Sequence, residues 1–105
     1  MQRCGLSIYI DVEGARHTLA LAGELDMATA RALKRAGLQA CREGAQELVL
    51  DLRELTFMDS TGLHTILALR EHCGALYLKH EHANVRRVFE LTGIADLLGP
   101  TPSAV

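Results

Sequence analysis

Residues 48–63 read LVLDLRELTFMDSTGL, and within them the hydrophobic pattern changes from that of a strand to that of a helix. Positions 48–52 are apolar except for Asp51, and so continuous a run is typical of a strand buried on both faces in mid-sheet. From residue 63 onward, one helical stripe comprises Leu63, Ile66, Leu67 and Arg70. The sequence therefore predicts a central strand followed by a helix that begins within residues 59–61.

The junction segment Asp59-Ser60-Thr61-Gly62 has two interpretations, which are compatible. In the first, the short polar side chains cap the helix by accepting hydrogen bonds from its unpaired amides, and Gly62 lets the backbone pass close to a neighbour. In the second, Ser60 accepts a phosphate, because the amides and dipole of a helix N-terminus tolerate added negative charge. The residues alone leave both interpretations open.

The composition predicts one domain with an aliphatic core, because 49% of the 105 residues are hydrophobic and only 4% are aromatic. A net charge of -2 provides no basic field for a phosphate backbone, so we expect protein partners rather than nucleic acid. No apolar stretch reaches the roughly 20 residues of a membrane span, and residues 1–4 do not lead into a signal-peptide core. These features predict a cytoplasmic protein.

The cysteines are odd in number and widely spaced, at Cys4, Cys41 and Cys73, without a Cys-x-x-Cys motif. This pattern argues against both a disulfide framework and a zinc knuckle. We expect Cys41 to be a small core residue, and Cys4 and Cys73 to be exposed thiols.

Two further chemical sites are weaker interpretations. A metal site could be built from His72, Cys73, His80 and His82. A His-x-His pair at a strand edge is usually polar surface, so we expect no metal. Ser60 could be the nucleophile of a hydrolase, but no Gly-x-Ser-x-Gly elbow surrounds it. We therefore expect no catalytic residue and no cofactor.

The first part of the chain predicts a β-hairpin. Residues 6–11 and 17–22 alternate between apolar and polar positions around a connection at 13–16, which indicates two strands with one buried face. Residues 23–26 follow as a predicted turn, in which Gly23 can adopt backbone angles closed to other residues.

A helix is predicted over residues 28–42, with Asp26 or Thr29 as its cap. Its inner stripe consists of small or apolar residues, Ala30, Leu33, Gly37 and Cys41, so the helix should lie close against the sheet. Its outer charges are interpreted as a solvated face: Arg31, Lys34, Arg35 and Arg42.

After the central helix, residues 75–78 predict a second parallel strand, reached by a right-handed crossover. Residues 83–92 predict a third amphipathic helix, and regular structure should stop at 99–102.

Three motifs in order resemble the STAS domain of bacterial anti-sigma factor antagonists: GELD at 23–26, FMDSTGL at 57–63 and VxxVFxxTGI at 85–94. The resemblance covers about residues 6–98. It implies an α/β fold in which a mixed four- to five-stranded β-sheet is flanked by α-helices. The whole chain, 1–105, would then be a single STAS domain with a short tail at 99–105.

The resemblance also implies a function. In its unphosphorylated state, the protein would bind an anti-sigma factor that is also a serine kinase, and so release a sigma factor. Phosphorylation of Ser60 would switch it off, so the chain would be a kinase substrate and not an enzyme. The partner surface implied by the motifs consists of Gly23, Glu24, Asp26, Met58, Asp59, Ser60, Thr61 and Gly62.

The sequence departs from typical members of the family in three places. The helix after Gly62 reaches Gly74 about one turn early, a single glycine replaces the usual pair, and Ala83 stands where proline is common. The short carboxyl end also predicts an uncovered sheet edge and weak homodimer formation. An alternative function is that of a STAS interaction subunit in a transporter or lipid-export complex, where the serine would be structural.

Overall fold

The structure is a computed structural model that describes residues 5–83 and 85–87. Its elements are, in chain order, β1 (Leu6–Glu13), β2 (Arg16–Leu25), α1 (Ala30–Arg42), β3 (Glu47–Met58), α2 (Ser60–Cys73) and β4 (Leu76–Lys79). Ala83 and residues 85–87 are also helical.

The four strands form one mixed sheet in the order β1-β2-β3-β4. β1 and β2 make an antiparallel hairpin, whereas β2 pairs with β3, and β3 with β4, in parallel. Each parallel connection passes through a helix, α1 in the first case and α2 in the second, as parallel pairs require. The predicted α/β fold with a mixed sheet is confirmed, and within the described residues the sheet has four strands.

The core is aliphatic, as the composition predicts. Leucines of β2 and β3 lie under the two helices, and the most deeply buried large side chains are Leu19, Leu21, Leu25, Leu33, Leu48, Leu50, Leu52, Leu55, Ile66 and Leu69. They belong to one cluster, which joins the sheet to both helices. Burial of this apolar surface is the main driving force for the fold.

β3 is buried on both faces only in its first part, where the consecutive residues Leu48, Val49 and Leu50 are all enclosed. The strand then continues to Met58, beyond the predicted run. Two register shifts against β2 each place one extra residue in β3, between the partners of Ala20 and Ala22 and between those of Gly23 and Glu24. Because each bulge reverses the side-chain alternation, the buried residues recur every third position, at Leu52, Leu55 and Met58.

The predicted hairpin is confirmed, but its buried face is incomplete. Leu6 and Ile8 pack against the core, whereas Ile10 is 59% exposed. β1 is an edge strand, and only its first half reaches the core cluster.

The predicted turn at 23–26 was wrong, because β2 extends through Leu25. Gly23 lies inside that strand, beside the second register shift, where its φ is 117° and an added Cβ would lie 2.1 Å from the carbonyl oxygen of Gly5. The neighbouring amide of Glu24 donates a hydrogen bond to that same oxygen at 3.0 Å. Glycine thus permits both the left-handed backbone and the close approach.

α1 packs against the sheet through the shared core, as predicted, and it also lies close against α2. A Cβ on Gly37 would lie 2.6 Å from one methyl carbon of Leu69, which occupies the space the glycine leaves. The buried stripes of both helices therefore differ from the predicted ones. On α1, Ala40 is buried and the predicted Cys41 is only half-buried; on α2, Leu69 is buried and the predicted Arg70 is exposed. Leu67, also predicted to be buried, is half-buried.

The predictions of Cys41 as a small core residue and of Cys73 as an exposed thiol were wrong, because the two form a disulfide with their Cα atoms 6.0 Å apart. The two parallel crossovers bring the carboxyl ends of α1 and α2 together, which cysteine spacing does not reveal. Cys4 lies outside the described residues.

The third predicted helix is described only in part. Val85 is buried, and the amide of Arg86 donates to the carbonyl oxygen of His82 at 2.8 Å, as in a first helical turn. The remainder of this helix and the short tail lie outside the described residues, so weak self-association stays a prediction. No helix in the described part of the chain has the length and hydrophobicity to cross a bilayer.

The disulfide should contribute substantially to stability, because it closes a loop with a sequence separation of 32 residues. Constraining such a loop in the unfolded chain is expected to add about 4 kcal/mol to the free energy of unfolding. Urea unfolding of the wild type with and without dithiothreitol measures this difference. The double variant Cys41→Ser/Cys73→Ser should not respond to the reductant, whereas Cys4→Ser should respond as the wild type does. Three reactive thiols in the unreduced, denatured wild type would contradict the disulfide.

Candidate functional site

Two strand-to-helix connections lie side by side at one edge of the sheet. β2 and β3 are parallel, so both carboxyl ends reach that edge, and Leu25 is paired with Met58 in the ladder. The amide of Asp59 donates to the carbonyl oxygen of Leu25 at 3.3 Å, which extends the pairing to the start of α2. The residues that follow β2 and β3 are therefore neighbours, as the partner-surface prediction requires.

Asp59 is the N-cap of α2. It has an extended backbone, and its Oδ1 accepts a hydrogen bond from the amide of Gly62 at 3.1 Å. Its carbonyl oxygen accepts from the amide of Leu63 at 3.1 Å and so begins the helical ladder. The capping interpretation is thus confirmed for Asp59, while Ser60 and Thr61 are the first two residues of the helix.

Ser60 is exposed and its hydroxyl makes no hydrogen bond to any described residue. Thr61, in contrast, is half-buried in the same turn. Since Asp59 already satisfies the nearby amide, the Ser60 hydroxyl has no capping role. The sequence left capping and phosphate acceptance open for the same segment. In the structure, the Asp59 carboxylate caps the helix, and the adjacent Ser60 hydroxyl faces solvent.

Asp26 organises the connection from β2 to α1. Its Oδ1 accepts hydrogen bonds from the amides of Ala28 and Thr29, at 3.0 and 3.1 Å. The Thr29 hydroxyl accepts from the amide of Asp26 at 2.9 Å and donates to the carbonyl oxygen of Glu24 at 2.7 Å. Both predicted capping residues act, but they close the turn that leads into α1; the Thr29 side chain makes no cap bond to α1 itself.

The other predicted site residues differ in accessibility. Gly23, Glu24, Asp26 and Asp59 are half-buried, whereas Met58 and Gly62 are buried. A Cβ on Gly62 would lie 2.7 Å from Cγ of Leu25 and 2.9 Å from Cγ of Met58. Met58 and Gly62 thus support the surface from beneath, and their direct contact with a partner stays a prediction.

Sequence reasoning missed two exposed apolar side chains at this edge. Met27 is 78% exposed and follows Asp26 directly, while Phe57 is 48% exposed and pairs with Glu24 in the ladder. Large apolar residues that are exposed among polar ones are typical of interaction surfaces. Met27 could have been found as an apolar residue inside a polar turn, but the outward orientation of Phe57 depends on the β3 bulges.

Three of the four residues of the alternative metal site have other partners. Cys73 is in the disulfide, the Nε2 atom of His80 lies 2.9 Å from Nη2 of Arg53, and Nε2 of His82 lies 2.7 Å from the Arg53 carbonyl oxygen. Within residues 5–83 and 85–87, no group of three or more potential ligands is placed to hold a metal ion.

Comparison with known proteins agrees with the motifs. A family model described as "Mlab, STAS domain" matches residues 8–99. The anti-sigma-B factor antagonist of Staphylococcus aureus is 29% identical over 97 residues, which cover 89% of this chain and 90% of that protein.

Solved structures are similar as well. An anti-sigma factor antagonist from Mycobacterium paratuberculosis has a TM-score of 0.82 at 26% identity, over 94% of this chain and 89% of its own. The anti-sigma factor antagonist SpoIIAA has a TM-score of 0.77 in its unphosphorylated form, at 22% identity over 87% of this chain and 84% of its own. At that identity the likeness to SpoIIAA shows the fold alone. The family match extends over nearly the whole described structure and includes both strand-to-helix connections, so this chain belongs to the STAS domain family.

Proposed function

We propose that this protein is an anti-sigma factor antagonist that is switched off by phosphorylation of Ser60. In its unmodified state, it binds an anti-sigma factor at the edge formed by the two strand-to-helix connections and thereby releases a sigma factor. The anti-sigma factor is also the serine kinase, and the chain is its substrate rather than an enzyme. Exchange between these partners takes place in the cytoplasm. The names of the relatives from Staphylococcus aureus and Mycobacterium paratuberculosis support this role.

The observation that carries the proposal is the exposed Ser60 hydroxyl, which has no hydrogen-bond partner among the described residues. A kinase needs a hydroxyl that can enter its active site without disrupting the substrate. Ser60 fulfils this condition better than Thr61, which is half-buried. The fold should also tolerate the phosphate, because a negative charge at a helix N-terminus is favourable.

Electrostatic repulsion accounts for the switch. A phosphate adds a charge of about -1.5 to -2 next to Asp59 and on the same edge as Asp26. At a desolvated interface, a like-charge penalty of about 3 kcal/mol would weaken partner binding about a hundredfold. The switch thus needs no change of fold.

The alternative, a STAS subunit of a transporter or lipid-export complex, assigns Ser60 a structural role. The side chain makes no hydrogen bond within the described residues, and Asp59 provides the cap. The free hydroxyl therefore favours the phosphorylation role over the structural one.

Ser60→Ala should fold with a stability within about 0.5 kcal/mol of the wild type, since no hydrogen bond is lost. It should bind the anti-sigma factor captured from the source cell and resist phosphorylation, whereas Ser60→Asp should bind more weakly. Intact-mass analysis after incubation with that partner and ATP measures the modification. Thr61→Ala is the matched control and should still gain one phosphate. If Ser60→Ala still gained a phosphate and Thr61→Ala gained none, the phosphorylated residue would be Thr61 and not Ser60.

Asp26→Asn tests the connection between β2 and α1. The Asn Oδ1 can still accept from the amides of Ala28 and Thr29, so we expect little change in thermal unfolding. If Asp26 contacts the anti-sigma factor, titration calorimetry should show weaker binding. Asp11→Asn removes the same charge from an exposed site near the opposite end of β2 and should bind normally. Unchanged affinity of Asp26→Asn would limit Asp26 to its role in the turn.

A further inference from the structure

The outer face of α1 carries a groove of about 210 Å³ lined almost entirely by cations. Its lining residues are Arg31, Lys34, Arg35, Leu38 and Arg42. Counted from Arg31, the other four residues lie three, four, seven and eleven positions further along α1. This spacing places all five on one stripe of the helix, about 16 Å in length. The solvated face expected from the sequence is therefore a concave positive surface with one apolar side chain in it.

The cations in the first part of this groove have no carboxylate partner among the described residues. Among the described residues, ion pairs join Arg16 to Glu47 and Arg86 to Glu81, and neither pair lines the groove. Arg42 donates to Oε1 of Gln39 at 3.3 Å, which leaves Arg31, Lys34 and Arg35 exposed without a bonded side-chain acceptor. Because the whole chain has a net charge of -2, this positive face is a local feature.

We propose that this groove binds an acidic amphipathic segment of the anti-sigma factor, as a second contact besides the Ser60 edge. Carboxylates at helical spacing would face the cations, and one apolar side chain would pack on Leu38, which is half-buried against the core. The inference rests on the proposed function for the identity of the partner. The chemistry of the segment follows from the groove itself.

Two other anionic ligands fit less well. A helix that lies on a membrane presents a broad apolar face, whereas the residues that line this groove are four cations and one leucine. Duplex nucleic acid carries one negative charge per about 1.7 Å and needs a wider basic field than one helical stripe on a chain of net negative charge. An acidic protein segment with one apolar residue matches the length and the mixed chemistry of the groove.

The groove begins close to the proposed switch. Arg31 is the second residue of α1, and the turn held by Asp26 immediately precedes that helix. That turn lies at the sheet edge that also carries Ser60. One partner can therefore span the phosphorylation site and the positive stripe.

The test compares two double charge reversals. Lys34→Glu/Arg35→Glu changes the middle of the groove, and Arg70→Glu/Arg87→Glu makes the same change in net charge at exposed helical positions outside it. Binding of the purified anti-sigma factor to each unphosphorylated variant is measured by titration at several salt concentrations, after circular dichroism has verified folding. Lys34→Ala/Arg35→Ala serves as a milder variant should the reversal not fold.

We expect the groove reversal to weaken binding about tenfold or more at low salt and to flatten its salt dependence, with the control reversal close to wild type. Equal affinity of the two reversals would overturn the groove proposal and leave the proposed function intact. If the wild type binds no anti-sigma factor, the proposed function fails, and the groove proposal fails with it. Binding of the wild type to phosphatidylglycerol vesicles that the groove reversal abolishes, with partner affinity unchanged, would assign the groove to a membrane surface and also overturn the proposal.

Discussion

Leu25 lies against the first turn of α2 at a distance that only glycine at position 62 allows. A single added carbon there would approach Cγ of Leu25 to 2.7 Å and Cγ of Met58 to 2.9 Å. This packing holds the end of β2, the end of β3 and the start of α2 together. The adjacency of the two strand-to-helix connections rests on the parallel pairing of β2 with β3, and Gly62 lets the first turn of α2 lie directly against that pair.

Neighbouring side chains at this edge of the sheet have different roles. Asp59 satisfies the helix amide, Asp26 and Thr29 close the turn before α1, and Ser60 takes part in neither network. A residue without a structural task can be modified while the fold stays intact. In this arrangement, phosphorylation would act on the partner's affinity and not on the stability of the domain.

Local patterns in the sequence were sufficient for much of this architecture. The apolar run of β3, the capping residues before α2 and the helical spacing after them predict a strand, a junction and a helix. The strand-helix-strand order then predicts parallel pairing. The position of Ser60 in the first turn of α2 follows from the same residues.

Features that depend on distant parts of the chain could not be predicted. The β3 bulges follow from pairing with β2, the rotation of the α2 stripe follows from the contact of Leu69 with Gly37, and the disulfide follows from the convergence of two helix ends. The exposure of Phe57 was missed for the same reason, since the bulges decide which face it occupies.

The strand order of the sheet is also the order of the strands along the chain. Every pairing therefore joins consecutive strands, and only the hairpin is local, since each parallel pairing must wait for the helix between its two strands. During synthesis, the hairpin can form first, and β3 can add to it before β4 has left the ribosome. Cys73 is the last residue of α2, so its bond to Cys41 can form only once the whole of α2, the Ser60 junction included, has been synthesised. The disulfide can thus form before β4 has been made, but not before β1, β2 and β3.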